Sequence, residues 1–133
     1  MAKKIVITAA LTGVLARREQ CPYIHYTPEE IALEGKRAVD AGASVLHIHA
    51  RQDDGAPAYD IETYRRIGEE VRKLCPTAII NYSTGAIGLS REERIHHITA
   101  LKPDMAALNM GSMNYGIYWP KTKKFYYDFV FQK

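Results

Sequence analysis

The feature that most constrains this chain is a regular alternation of short apolar runs with longer amphipathic segments. Four runs have the length and composition of strands, at residues 4–8, 44–49, 77–83 and 103–110. Three segments between them have helical periodicity, at residues 27–40, 60–76 and 90–100. Strands separated by helices of this length pair in parallel through right-handed crossovers. The order therefore predicts an α/β fold, either a doubly wound sheet or a (β/α)8 barrel.

Capping signals predict where two of the helices begin. Thr27 is a good N-cap, Pro28 suits the first helical position, and Glu30 completes a capping box. Ser90 and Glu93 form a second capping box at the start of the short third helix. The middle helix has its apolar residues on one face, namely Ile61, Tyr64, Ile67 or Gly68, and Val71.

Composition limits the chain to one ordinary domain and argues for assembly. It has 133 residues, of which 47% are hydrophobic and 25% charged. The first strand is not followed by a GxGxxG motif, which disfavours a dinucleotide-binding layout.

Four parallel units alone would leave open sheet edges, and the end of the chain adds the aromatic residues Trp119, Tyr126, Phe129 and Phe131. We therefore expect this aromatic segment to pack on another surface and the protein to form a homo-oligomer.

Charge and cysteine content argue against several classes of protein. The net charge of +3 is spread along the helices, and a nucleic-acid partner is not expected. Cys21 and Cys75 are far apart and have no CxxC spacing, so neither a thiolate metal site nor a disulfide framework is indicated. The apolar runs are too short for a signal peptide or a membrane span. The sequence thus predicts a soluble, cytoplasmic protein with no membrane partner.

The stretch "SVLHIHARQDDGAP" contains the strongest indication of function. His47 and His49 are two residues apart on a predicted strand, so their side chains point to the same face. They also lie near the carboxyl end of that strand, where parallel α/β folds carry their chemistry. Two neutral imidazoles can be two ligands of a tetrahedral zinc ion. The alternative is a pair of hydrogen-bonded polar residues without a metal.

Two other predicted strands also end in polar residues. The third strand runs into "NYSTGAIG", with Ser83 and Thr84 beside small glycines, and the fourth into "LNMGSMNYG", with Asn109. Such ends bind small anions or carbonyl groups, although turn chemistry explains each residue taken singly. Ser83, Thr84 and Asn109 are our candidates for substrate binding. His96 and His97 lie in a helix with a charged face, and we interpret them as surface residues.

Taken together, these motifs resemble one known family. "TAALTG", "YTPEEIALEGKRAVDAGASVLHIHARQDDGAP", "NYSTG" and "DMAALNMGSMNYG" are similar to the β-keto acid cleavage enzymes, which include members of amino acid catabolism that act on 3-keto-5-aminohexanoate. The resemblance implies a zinc-dependent (β/α)8 barrel, a transferase that converts a β-keto acid and acetyl-CoA into acetoacetate and a new CoA ester. It further implies that His47 and His49 bind zinc and that Ser83 contacts the substrate.

The chain departs from the family pattern in two residues and in length. Aminohexanoate-cleaving members have a glutamate where this chain has Leu15 and a threonine where it has Ala107. Family members are roughly twice as long, as whole barrels are, and their third zinc ligand and catalytic arginine and aspartate lie in the second half. We therefore expect residues 1–133 to be one domain, the first four units of the barrel, with the catalytic residues beyond Lys133. A metal-dependent amidohydrolase is the alternative enzyme, and a non-catalytic fragment is the alternative to an enzyme.

Overall fold

The computed structural model describes residues 4–86, 88–108 and 117–126. Its strands are β1 (Thr8–Ala10), β2 (Val45–Ile48), β3 (Ile79–Tyr82), β4 (Met105–Ala106), β5 (Ile117–Trp119) and β6 (Lys124–Tyr126). Its helices are α1 (Pro28–Asp40), α2 (Ile61–Leu74) and α3 (Arg91–Leu101). The first four strands form one parallel sheet in the order β1-β2-β3-β4, and β5 and β6 pair antiparallel. The predicted α/β order is confirmed.

The strand order separates the two predicted architectures. A doubly wound sheet reverses its strand order at a switch point, whereas each strand of a barrel pairs with the next strand of the chain. Here β1, β2, β3 and β4 follow one another without a reversal. This sheet therefore has the strand arrangement of the first four units of a (β/α)8 barrel.

The buried core lies between the sheet and the helices α1 and α2. Leu46 and Ile48 of β2 point into it, because they alternate with the two histidines along the strand. Ile31 of α1 and Ile67 of α2 are fully buried against them. Both predicted capping boxes are present, at Thr27–Glu30 and Ser90–Glu93. The helices therefore begin where their sequences predict.

Two predicted strands differ from the observed ones. The first was expected at residues 4–8, but β1 begins only at Thr8, and the Ile7 carbonyl accepts hydrogen bonds from the backbone of Ser44 and Val45. Residues 4–6 therefore extend past the first residue of β2 in the sheet, where β2 has no residue beside them to pair with. Ile5 is accordingly 83% exposed. The fourth strand was expected at residues 103–110; among the described residues 103–108 it contains Met105 and Ala106, and residues 109 and 110 lie outside the described residues.

The predicted packing of the aromatic segment is only partly covered by the structure. Trp119 in β5 is about half exposed, at 52%. Phe129 and Phe131 lie outside the described residues. Within the ranges that the structure describes, none of the helices is long and apolar enough to cross a membrane.

Candidate functional site

His47 and His49 converge at the carboxyl end of β2, as the strand periodicity predicts. Their Nε2 atoms are 3.3 Å apart, and the two rings lie nearly perpendicular, at 81°. Both side chains are half-buried. Each imidazole therefore directs one ring nitrogen towards the same small volume beyond the sheet.

The distance between these nitrogens fits a zinc ion. A tetrahedral zinc with Zn–N bonds of about 2.0–2.1 Å holds two nitrogen ligands roughly 3.3 Å apart. The observed Nε2–Nε2 separation is 3.3 Å, which is also a hydrogen-bond distance between the two rings. Within the described residues, no group of three histidine, cysteine or carboxylate side chains is arranged to hold a metal. The described part of the site thus offers two ligands of the four that zinc requires.

The electrostatics of His49 also suit a metal ligand. Its pKa falls from 6.5 to about 4, mainly because burial disfavours the charged ring, with repulsion from His47 and Arg51 lowering it further. At neutral pH His49 is therefore uncharged, and one ring nitrogen keeps its lone pair. Only the uncharged imidazole can bind a metal ion.

Thr12, which follows the neighbouring strand β1, fixes the backbone of His49. Its hydroxyl donates to the His49 carbonyl at 2.8 Å and lies 3.3 Å from the His49 backbone nitrogen, which donates to it. Thr12 is itself buried. The sequence analysis did not identify this residue, because a threonine after a strand gives no sign of a partner 37 positions later.

Arg51 is a second residue that the sequence analysis did not assign. It is 2% exposed, and its guanidinium donates to the backbone carbonyls of Val14 and Ala16. The guanidinium carbon lies 5.4 Å from the centre of the Tyr26 ring. Arg51 therefore anchors the loop after β1 next to the histidine pair.

Ser83 lies beside His49 at the end of β3. In the sheet, His47 of β2 pairs with Asn81 of β3. The Ser83 backbone N–H donates to the Ile48 carbonyl, which continues this register by two residues. Ser83 therefore lies next to His49 on the same face. Its Oγ accepts a hydrogen bond of 3.1 Å from the Gly85 backbone. A side chain on Gly85 would contact both the Ser83 hydroxyl and the His49 ring, so glycine keeps this space open.

The other two substrate candidates have different surroundings. The Thr84 hydroxyl donates to the Ala107 carbonyl at 2.9 Å, which ties the end of β3 to the segment after β4. Asn109 lies outside the described residues. Of the five candidate residues, the structure thus brings His47, His49 and Ser83 together on one face.

The prediction for His97 was wrong. This histidine was interpreted as a surface residue, but it is 2% exposed and its Nε2 lies 3.0 Å from the Ser83 carbonyl oxygen. It was missed because the apolar residues of α3 that pack against the core, Ile98 and Leu101, do not mark position 97, and a buried polar residue breaks the usual pattern. His96 is the more exposed of the two neighbouring histidines.

Comparison with known proteins gives a family for this chain. The sequence pattern of the beta-keto acid cleavage enzyme family matches residues 4–133. The chain is 45% identical over 115 residues to the 3-keto-5-aminohexanoate cleavage enzyme of Acetoanaerobium sticklandii, covering 86% of this chain and 42% of that protein. It is 35% identical over 125 residues to the 3,5-dioxohexanoate:acetyl-CoA acetone transferase of Paraburkholderia graminis, covering 92% and 40%.

A solved structure extends the likeness to three dimensions. The ternary complex of ObcA with C4-CoA adduct and oxalate superimposes with a TM-score of 0.56 at 29% identity, over 65% of this chain and 23% of that one. The chain spans about two fifths of the length of the curated relatives that it matches. With a match over nearly its whole sequence, the chain belongs to the β-keto acid cleavage enzyme family.

Proposed function

We propose that this chain is the metal-binding part of a zinc-dependent enzyme that cleaves β-keto acids. In the proposed reaction, a β-keto acid and acetyl-CoA give acetoacetate and the CoA ester of the remaining acyl group. His47 and His49 hold the zinc ion. The observation that carries the proposal is the convergence of their Nε2 atoms, 3.3 Å apart, at the carboxyl end of a barrel-type strand.

Each group at the site has a chemical task in this proposal. Zinc held by His47 and His49 would supply a Lewis acid for the keto oxygen of the substrate. The Ser83 hydroxyl, on the same face as His49, donates a hydrogen bond to a substrate oxygen. Thr12 holds the His49 backbone so that the two imidazoles keep their separation. Thr84 and Asn109 remain further candidates for substrate contact.

We also propose that the chemistry needs groups outside the described residues. Zinc with two imidazoles requires a further protein ligand, and carbon–carbon cleavage requires groups that move protons. The family resemblance implies a glutamate, an arginine and an aspartate from the second half of a barrel, of which residues 1–133 are the first half. The use of acetyl-CoA is consistent with a cytoplasmic enzyme.

The substrate is proposed to have a neutral or apolar tail. One relative is named for an amino-substituted substrate and another for a dioxo substrate, so the tail differs among relatives. Leu15 lies in the loop that Arg51 anchors and is 69% exposed. A leucine cannot pair with a substrate ammonium, and leaving that charge buried without a partner would cost several kcal/mol.

The zinc assignment is tested by metal analysis. We expect a His47→Ala, His49→Ala double variant to lose the zinc that the wild-type protein retains after dialysis. The matched control is a His25→Ala, His96→Ala double variant, which removes two imidazoles that do not face the site. Equal zinc content in the wild type and the first double variant would contradict the assignment and favour the hydrogen-bonded pair.

Catalysis is tested by a coupled assay for CoA-ester formation. The assay compares the 133-residue chain with a form of full barrel length, using β-keto acids with apolar and amino-substituted tails. We expect turnover only from the longer form, with a preference for the apolar tail. Turnover of about 1 to 10³ per second by the 133-residue chain would contradict the need for further groups. A lack of turnover in both forms would favour a non-catalytic role.

Assembly forms part of the proposal. β1 is an edge strand in the described part of the sheet, and Ile5 and Val6 before it are 83% and 70% exposed. Exposed apolar surface next to an open edge promotes association. We therefore propose a homo-oligomer, which sedimentation at micromolar concentration tests. A well-folded monomer would contradict this part.

A further inference from the structure

The Ser83 carbonyl receives side chains from both helices that flank β3. His97 of α3 places its Nε2 atom 3.0 Å from this oxygen, and the Tyr64 hydroxyl of α2 lies 3.5 Å from it. All three residues are buried. His97 is the one buried residue of α3. The docking of α3 and the position of Ser83 therefore depend on the same contact.

The proton on His97 is fixed by its surroundings. A carbonyl oxygen can only accept, so Nε2 must carry the proton that it donates. Burial lowers the pKa of His97, so the ring is neutral at pH 7, and its Nδ1 is buried without a partner among the described residues. One tautomer of the neutral imidazole satisfies these conditions, the one with hydrogen on Nε2.

The His97 ring is held in place by a stack of aromatic residues. It lies parallel to the Tyr64 ring, with centres 4.1 Å apart and an angle of 17° between the planes. Tyr64 is fixed in turn by Tyr82, whose hydroxyl donates to the Tyr64 carbonyl at 2.8 Å. The Tyr82 oxygen occupies the space where a side chain on Gly68 would be. α2, β3 and α3 thus determine where the His97 donor points.

The hydroxyl of Ser83 is arranged to act as a donor. Its oxygen accepts from the Gly85 backbone at 3.1 Å, and its own proton has no acceptor among the described residues. A serine hydroxyl carries one donor and two acceptor positions. The proton is therefore available to a ligand on the His49 side of the strand.

We propose that His97 and Tyr64 are positioning residues, which hold the Ser83 backbone so that its hydroxyl faces the His47–His49 pair. The role of the Ser83 hydroxyl in substrate binding rests on the proposed function. The holding of the Ser83 backbone does not. The two parts can therefore be measured separately.

The structural part is measured by hydrogen exchange at the Gly85 amide, whose N–H is bonded to the Ser83 hydroxyl. His97→Phe keeps an aromatic ring but removes the donor, and we expect exchange at Gly85 about tenfold faster, the equivalent of one lost hydrogen bond. His97→Gln restores an amide donor and is expected to return exchange to within about twofold of wild type. His96→Gln is the control on the neighbouring histidine. Unchanged exchange in His97→Phe would overturn the proposal.

The functional part is measured by the binding of acetoacetate, the simplest β-keto acid, to the zinc-loaded protein. We expect His97→Phe and Ser83→Ala each to weaken binding about tenfold, and the double variant to be no weaker than Ser83→Ala alone. His97→Gln is expected to restore binding, while zinc content stays at the wild-type level in all variants. Tyr64→Phe is expected to have a smaller effect, because its contact is longer.

The outcomes distinguish the two proposals. Losses that add fully in the double variant would overturn positioning, because His97 would then act independently of Ser83. A wild-type protein that binds neither zinc nor acetoacetate would contradict the proposed function. In that case, faster Gly85 exchange in His97→Phe would still support the holding of Ser83, and unchanged exchange would overturn it.

Discussion

The helices α2 and α3 flank the same strand but are attached to it in different ways. α2 buries Tyr64, Ile67 and Val71 in the core, whereas α3 buries only His97. Arg94 adds a second polar contact from α3, donating to the Thr84 carbonyl at 3.1 Å. α2 is thus held mainly by fully buried apolar area, which depends little on direction, and α3 by the partly buried Ile98 and Leu101 together with hydrogen bonds to the end of β3. A change in the docking of α3 is therefore a change at the candidate site.

The largest expected effect is the loss of an apolar anchor on α2. Ile67→Ala should reduce the free energy of unfolding by about 2 to 5 kcal/mol, because it leaves a cavity at a fully buried position. Ile95→Ala on α3 is the matched control, since Ile95 is 42% exposed, and should cost under about 1 kcal/mol. Urea unfolding of both variants measures the difference. Equal losses would show that the two helices are attached alike.

A smaller effect is expected from filling the space beside Tyr82. Gly68→Ala should destabilise the protein by about 1 to 3 kcal/mol, because the new methyl group meets the Tyr82 hydroxyl. Glycine-to-alanine changes in an unobstructed helix stabilise it instead, by about 1 kcal/mol. Adding Tyr82→Phe removes the obstructing oxygen and should recover part of the loss. A stabilising Gly68→Ala variant would show that the stack can shift.

Removing an N-cap should lower the free energy of unfolding by about 1 kcal/mol in either helix. The two helices should differ in where hydrogen exchange then increases. Ser90→Ala removes the acceptor for the Glu93 backbone, and Asp60→Ala removes the acceptor for the Thr63 backbone of α2. We expect Ser90→Ala to increase hydrogen exchange throughout α3, since less buried apolar area holds that helix than holds α2. Asp60→Ala should increase exchange only in the first turn of α2. An increase throughout α2 and only in the first turn of α3 would show that α2 is the less firmly attached helix.

The smallest expected effect is a pH dependence that arises from α3. Because burial lowers the pKa of His97 below 6.5, the unfolded chain binds protons in a pH range where the folded protein does not. Stability from the neutral ring is complete above pH 6.5 and is lost as the pH falls towards the folded pKa. His97→Gln should therefore flatten the decline in unfolding free energy below pH 6.5.

The ring contacts of His97 include Tyr64, Tyr82 and the partly exposed His96. The two tyrosines have their pKa raised to about 12 by burial, so they stay neutral throughout this range. His96→Gln is the control for His96, and we expect this variant to keep the wild-type pH profile. A His97→Gln profile that matches wild type would contradict a titrating role for His97.

Local sequence signals predicted much of the fold and one side of the site. Thr27 and Ser90 allowed the starts of α1 and α3 to be predicted, because a cap and its partner are only three residues apart in the sequence. His47 and His49 were predicted to share a face because strand periodicity determines this directly. β1 was placed too early because residues 4–7 are apolar enough for a strand, and a strand also needs a partner alongside it.

The residues that escaped prediction act through distant partners. Thr12 reaches His49, and His97 reaches Ser83 across 14 positions. Their partners are backbone atoms, which every residue has, so no matching side chain in the sequence marks the contact. Arg51 escaped for the same reason, since its guanidinium donates to the backbone carbonyls of Val14 and Ala16.

The backbone contacts of Arg51 have a consequence for how the loop after β1 tolerates mutation. The arginine holds the loop after β1 through carbonyl oxygens, which remain when the side chains of that loop are exchanged. Leu15, between the two anchored carbonyls, is largely exposed and free of that task. Mutation at position 15 can therefore alter the side chain that the loop presents while its path stays the same. A loop fixed in this way tolerates substitution at its exposed positions, because the contacts that hold it are made by backbone atoms.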